Sequence, residues 1–236
     1  MTLPTFVRPT LDRPYRLGLL GGTFDPPHVG HIALAELCIA RLDLDELLWI
    51  PTGMSWQKAA DITPAPLRFA MTELAAKAVR GGRARVHVSG MEVDRHGPSY
   101  TIDTVRELRG VYGPDTSMAW LMGADQLVGL DTWHGWQDLF EYVHLCVATR
   151  PGFDLQALHV PVQRELDVRR GDTALIQCAP AGHMWIDQTL AVDLSSTRLR
   201  QQLATGARCD TDLPAGVADL IQSHSLYRRA NGTVSA

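Results

Sequence analysis

The chain is short of lysine, short of cysteine and free of long apolar runs, and each shortage excludes something. Only two of its 22 basic residues are lysines, Lys58 and Lys77, so a lysine at a functional position stands out against a background of arginine. The four cysteines, Cys38, Cys146, Cys178 and Cys209, lie far apart with no C-x-x-C spacing. Neither a zinc knot nor a redox pair is indicated, and a reducing cytoplasm is the expected compartment. The longest apolar runs are a handful of residues, such as 47–50, and residues 1–16 hold no apolar signal-peptide core. Neither a membrane span nor a secretory signal is expected. Neither sign of charge dominates: 13 acids and 13 bases precede Ser117, and 13 acids and 9 bases follow it, for a net charge of −4. No nucleic-acid partner is therefore expected, because the basic face that phosphate backbones require is missing. Internal repeats and low-complexity tracts are also absent.

What is present is a periodic pattern. The 236 residues, 45% of them apolar, suffice for one substantial core and not two. Residues 1–14, with Pro4, Pro9 and Pro14, read as a flexible extension ahead of a single domain at 15–236. Strand-like segments at 16–22, 46–52, 85–89, 118–123 and 145–149 alternate with helix-like segments at 31–42, 67–79 and 99–108. Strands alternating with helices of that length predict a Rossmann-like α/β fold, a doubly wound parallel sheet with helices on both faces. Two further helices, at 196–204 and 214–224, make a C-terminal helical part. The pattern is weakest between Arg150 and Ser196.

In such sheets ligands bind beyond the carboxyl ends of the strands, and the first strand-to-helix loop is the usual phosphate contact. Here that loop reads G-G-T-F-D-P-P-H-V-G-H over residues 21–31. It is neither G-x-G-x-x-G nor G-x-x-x-x-G-K-[ST], so dinucleotide oxidoreductases and P-loop ATPases lose their motif support. Gly21 and Gly22 allow a tight turn and close approach to an anion, and the next helix offers unpaired amides and a positive dipole end. His28 and His31, spaced i, i+3 at the helix start, share one face with Gly30 between them. Two imidazoles can then donate to one phosphate. By itself, H-x-x-H is more often a cap plus a satisfied core histidine. Two histidines without a nearby acid or cysteine triad are weak evidence for zinc, and no metal site is expected. A second anion site is suggested at 195–198, where Ser195, Ser196, Thr197 and Arg198 open a helix. Ser195 or Ser196 can cap it, and Arg198 can fork two phosphate oxygens. Arg200, two residues on, is expected to be structural.

The segment 21–31 resembles the signature of the H-x-G-H nucleotidyltransferases, and Pro26, Pro27 and His28 make it most similar to their bacterial nicotinate-mononucleotide adenylyltransferase branch. The likeness runs from about Tyr15 to Tyr227. It implies transfer of AMP from ATP, with its Mg2+, to nicotinate mononucleotide. His28, His31, Lys58 and Arg198 would be catalytic. Gly21, Gly22, Thr23, Phe24, Gly30, Gly123, Asp125, Arg150, Ser195, Ser196 and Thr197 would join His28, His31 and Arg198 around ATP. On the acceptor side the resemblance implies Lys58, Tyr100, Thr101 and Trp133, the last against the pyridine ring, with Trp136 packing in the core. The alternatives are another enzyme of the superfamily, such as a phosphopantetheine adenylyltransferase, and a nucleotide-binding module without turnover.

Overall fold

Successive side chains of a strand point to opposite faces, and the four inner strands use that period to fill two cores. In a computed structural model, which describes residues 9, 11–54, 62–190, 192, 195–207 and 209–228, Leu17 and Leu19 of β1 (Arg16–Gly22) pack into one core and Leu20 into the other. In β2 (Glu46–Pro51), Leu48 and Ile50 oppose Leu47 and Trp49 in the same way. In β4 (Ser117–Gly123), Met118, Trp120 and Met122 oppose Ala119 and Leu121. With both faces covered, each fully buried leucine contributes about 2 kcal/mol of transfer free energy, and the strands read as apolar runs.

Helix α1 (Val29–Leu42) covers one face with Leu34, Ala35, Cys38, Ile39 and Leu42. On the other face α3 (Thr101–Tyr112) buries Ile102, Val105, Leu108 and Tyr112. β3 (Arg85–Val88), β5 (His144–Ala148) and β6 (Met184–Asp187) complete an all-parallel sheet of order β3-β2-β1-β4-β5-β6. The chain winds outward from β1 to β3 and then returns to the far side of β1 at β4. The carboxyl ends of β1 and β4 are therefore neighbours at the switch point, where a crevice must open.

The remaining helices are α2 (Ala65–Lys77), α4 (Ala124–Val128), α5 (Val160–Arg169), α6 (Thr173–Cys178), α7 (Ser196–Ala204) and α8 (Val217–Ser223). The C-terminal pair makes its own cluster, in which Leu199, Val217 and Ile221 pack on Met71 of α2. The expected doubly wound fold is present. Of the elements not expected, α5, α6 and the four-residue edge strand β6 fall where the pattern was weakest, while the short α4 directly follows β4. Of the expected extension at 1–14, residues 1–8 and 10 lie outside the described residues, and Arg13 is held by two bonds of 2.7 Å to Asp45.

Candidate active site

The loop after β1 turns on Phe24, whose φ of +48° is left-handed, and its buried ring packs against His31. Phe24 meets His31 edge-on at 5.1 Å between centroids and lies 5.1 Å from Trp49. His28 is the N-cap of α1, in extended conformation. Its Nδ1 accepts from the Gly30 amide at 3.2 Å, while Nδ1 of His31 accepts from the His28 amide at 3.1 Å. This reciprocal capping box satisfies two amides that a helix start leaves unpaired. It also sets the tautomers: a ring that accepts at Nδ1 carries its proton on Nε2 when neutral. Burial pushes His28 down to about 4. Burial, and then the neighbouring His28, hold His31 well below its ordinary value. Near pH 7 both rings are thus neutral, stand 3.9 Å apart, and offer one Nε2–H each. Among the described residues no protein acceptor takes either Nε2. Capping and anion binding use opposite edges of the imidazole, so one role does not exclude the other.

The glycines of the loop are needed for reasons that are mainly tertiary. A Cβ on Gly21 would sit 2.2 Å from the Trp120 indole, so this glycine makes room for a side chain of β4 rather than for a tight turn. One on Gly22 would press on the Phe24 ring at 3.1 Å, and one on Gly30 would meet the His28 ring at 2.9 Å and Val192 at 3.4 Å.

These residues line a cleft of about 620 Å³ at the switch point. The start of α7 forms a second wall, bonded to the histidine loop. Ser195 caps it, accepting from the Arg198 amide at 3.2 Å, and the Ser196 hydroxyl donates to the Pro26 carbonyl at 2.9 Å. Ser195, Ser196 and Thr197 line the cleft, as does Arg200. Arg198 is exposed and is not among the lining residues. A helix advances 100° per residue, so positions 196, 197 and 200 share a face that position 198 leaves. Arg200 does have the structural bonds expected of it, to the Asp25 carbonyl at 2.6 Å and Thr197 Oγ1 at 3.3 Å, but it also stands in the wall.

Gly123, the N-cap of α4, and Asp125 line the cleft from the end of β4, and Arg150 lines it just beyond β5. Thr23 belongs to the lining as well. At the remaining end, Tyr100 is the N-cap of α3 and Thr101 its first residue. Trp133, which follows a short 3-10 turn over Leu130–Thr132, meets Trp120 edge-on at 6.5 Å. All of these line the cleft. Trp136 opens a second 3-10 turn and packs on the core, outside the lining. Lys58 lies outside the described residues, while Thr52, at the near end of its loop, lines the cleft.

Sequence reasoning did not single out Asp25, Glu92, Trp120 or His134, which also line the cleft. His134 carried one usable signal, its place beside Trp133, and its ring lies tilted against that of Tyr100, 4.6 Å between centroids. The buried Glu92 accepts from the Thr104 hydroxyl at 2.7 Å, and burial holds its carboxyl above the usual range. No three His, Cys, Asp or Glu side chains converge on a metal site among the described residues.

A family profile described as cytidylyltransferase-like matches residues 19–202, taking in both walls of the cleft. The chain belongs to the cytidylyltransferase-like family. Among curated members it is 42% identical over 214 residues to a probable nicotinate-nucleotide adenylyltransferase of Herminiimonas arsenicoxydans, covering 90% of this chain and 96% of the relative. A probable nicotinate-nucleotide adenylyltransferase of Saccharopolyspora erythraea is 34% identical, with 92% of each covered. In fold, the chain is similar to the nicotinic acid mononucleotide adenylyltransferase of Plasmodium falciparum complexed with NaAD. The TM-score is 0.68 at 13% identity, over 90% of this chain and 97% of the other. Cytidylyltransferase-like architecture thus accounts for the sheet order, and the cleft lies at its switch point.

Proposed function

We propose that this cytidylyltransferase-like chain transfers AMP from ATP to nicotinate mononucleotide, giving nicotinate adenine dinucleotide and pyrophosphate. The observation that carries the reading is the pair of neutral histidines at the start of α1, each with a free Nε2–H in a cleft faced by a second helix start. Relatives named for this reaction match across nine-tenths of the chain.

An oxygen of the acceptor phosphate attacks the α-phosphorus of ATP, and the bond from that phosphorus to the α,β-bridging oxygen breaks, leaving pyrophosphate. The attacking oxygen is already ionised at pH 7, so no protein nucleophile or general base is required. The chain must align two mutually repelling anions and stabilise charge building on the α-phosphoryl and leaving oxygens. His28 and His31 donate to the α-phosphoryl oxygens, with the amides at the start of α1 behind them. The start of α7 faces the β- and γ-phosphates, with Ser195, Ser196, Thr197 and Arg200 in the wall and Arg198 at its rim. Thr23, Phe24, Gly123, Asp125 and Arg150 surround the nucleoside, and Lys58 belongs with the transferred phosphates. Mg2+ would accompany ATP as its counter-ion and would offset the charge of its phosphates. Trp133, Tyr100 and Thr101 take the pyridine end. We read residues 15–236 as one domain, and the four unpaired cysteines suit the cytoplasm.

A coupled pyrophosphate-release assay with ATP and a panel of acceptors tests the reading. Turnover with nicotinate mononucleotide supports it. Turnover with phosphopantetheine alone, or with no acceptor in the panel, overturns it.

A further inference from the structure

A buried arginine on α2 joins the loops around the cleft. Arg68 is 2% exposed, a rare state for arginine unless its donors are used. They are used on three backbone carbonyls that lie far apart in sequence. Nε donates to Thr63 at 2.9 Å, one terminal nitrogen to Thr23 at 2.8 Å, and the other to Gly53 at 2.9 Å. Thr23 lies between β1 and His28. Gly53 and Thr63 flank residues 55–61 on either side. None of the three carbonyls belongs to the helix that carries the arginine.

A carboxylate closes the circuit. Asp25, also 2% exposed, accepts from the Thr63 amide at 3.3 Å through Oδ2 and from the Tyr227 hydroxyl at 2.5 Å through Oδ1. Tyr227 is itself held in a left-handed conformation, φ +62°, at the far end of the chain. The carbonyl of Asp25 takes Arg200 of α7 at 2.6 Å. The histidine loop is thereby tied to α2, to both flanks of 55–61 and to the C-terminal segment. None of these bonds is needed to close the two sheet cores.

We propose that Arg68 and Asp25 are positioning residues for the transfer step, holding the loop that carries His28 and His31 in register with the other cleft walls. The inference rests on adenylyl transfer taking place in this cleft. In-line displacement between two anions tolerates little misplacement, and an error of about 1 Å at a distance from the chemistry can cost about 10²-fold in rate. A planar guanidinium can reach three carbonyls in fixed directions, whereas an ammonium cannot.

The test compares folded variants by kcat, KM and Tm. In Arg68→Lys, kcat should fall by about 10²-fold. In Tyr227→Phe, which removes one hydroxyl, it should fall roughly tenfold, with KM for ATP and acceptor moving less than about threefold. Val162→Ala, a buried core position outside both the cleft lining and the Arg68–Asp25 network, should lower Tm with kcat within about twofold of the parent. The Arg68→Lys/Tyr227→Phe pair should lose less than the product of the single losses, because both act through Asp25 and Thr63. A folded Tyr227→Phe with parental kcat overturns the proposal even if Arg68→Lys does not fold. So does a Val162→Ala control that loses as much kcat as Tyr227→Phe. An active parent with unaffected variants sinks this inference alone; an inactive parent sinks the functional reading and this inference with it.

Discussion

His28 has two jobs at opposite edges of one ring, and a pair of substitutions separates them. His28→Ala removes both the Nδ1 acceptor that caps α1 through Gly30, at 3.2 Å, and the Nε2–H proposed to meet the α-phosphate. Loss of an N-cap costs about 1 kcal/mol, which in a chain of this size lowers Tm by roughly 2–4 °C. Loss of a preorganised donor to developing charge costs about 10²- to 10³-fold in kcat, or about 2.7–4 kcal/mol. His28→Asn keeps an N-cap of good propensity but is too short to reach the ligand. It should therefore recover most of the Tm while kcat stays down by at least about 10²-fold. Calorimetry and steady-state pyrophosphate release read the two effects independently. If kcat returned with the cap, or if His28→Ala kept near-parental kcat while losing its Tm, the Nε2 role would be wrong.

Three further outcomes are expected. Arg200→Lys should raise KM for ATP and lower kcat more than Arg198→Lys, since only position 200 lies in the cleft wall and a lysine loses the fork; an ATP titration showing the reverse order would return the phosphate contact to Arg198. Trp133→Ala should weaken the acceptor by about 1–3 kcal/mol of stacking, roughly 5- to 150-fold in KM, with KM for ATP nearly unchanged. Trp136→Ala should lower Tm instead, and equal stability losses with no selective acceptor effect would put Trp133 in the core. His144 is fully buried, and burial pushes it down to about 4. Its Nδ1 accepts from the His183 amide at 3.1 Å and its Nε2 bonds the Ala179 carbonyl at 2.9 Å. The unfolded chain binds the proton near 6.5 and the folded one only near 4, so this contribution is complete above pH 6.5 and is lost between 6.5 and 4. The slope approaches about 1.4 kcal/mol per pH unit; a His144→Gln variant with an unchanged slope in denaturant titrations across that window would refute the assignment.

The features legible without coordinates are those whose causes lie within a few residues. Apolar runs 47–50 and 118–123 mark buried parallel strands because both faces of such strands are covered. His28 at the start of α1 and Ser195 at the start of α7 are recognisable because a helix must satisfy its first amides locally. Once the alternation predicts a doubly wound sheet, the loop after its first strand is a ligand loop by topology. The tertiary structure decided what depends on partners distant in the chain. Gly21 is required by the indole of Trp120, about a hundred residues away, a fact that no local rule contains. Thr197 and Arg200 face the cleft while Arg198 leaves it, because the angle of α7 is set by Leu199 packing on the C-terminal cluster with Met71. β6 has only four residues, Met184–Asp187, too few to declare a period, and it is a strand because the edge of β5 offers its free peptide groups. Arg68 looks like any surface arginine until two loops bring three carbonyls to it, and only the folded chain makes a buried guanidinium stable.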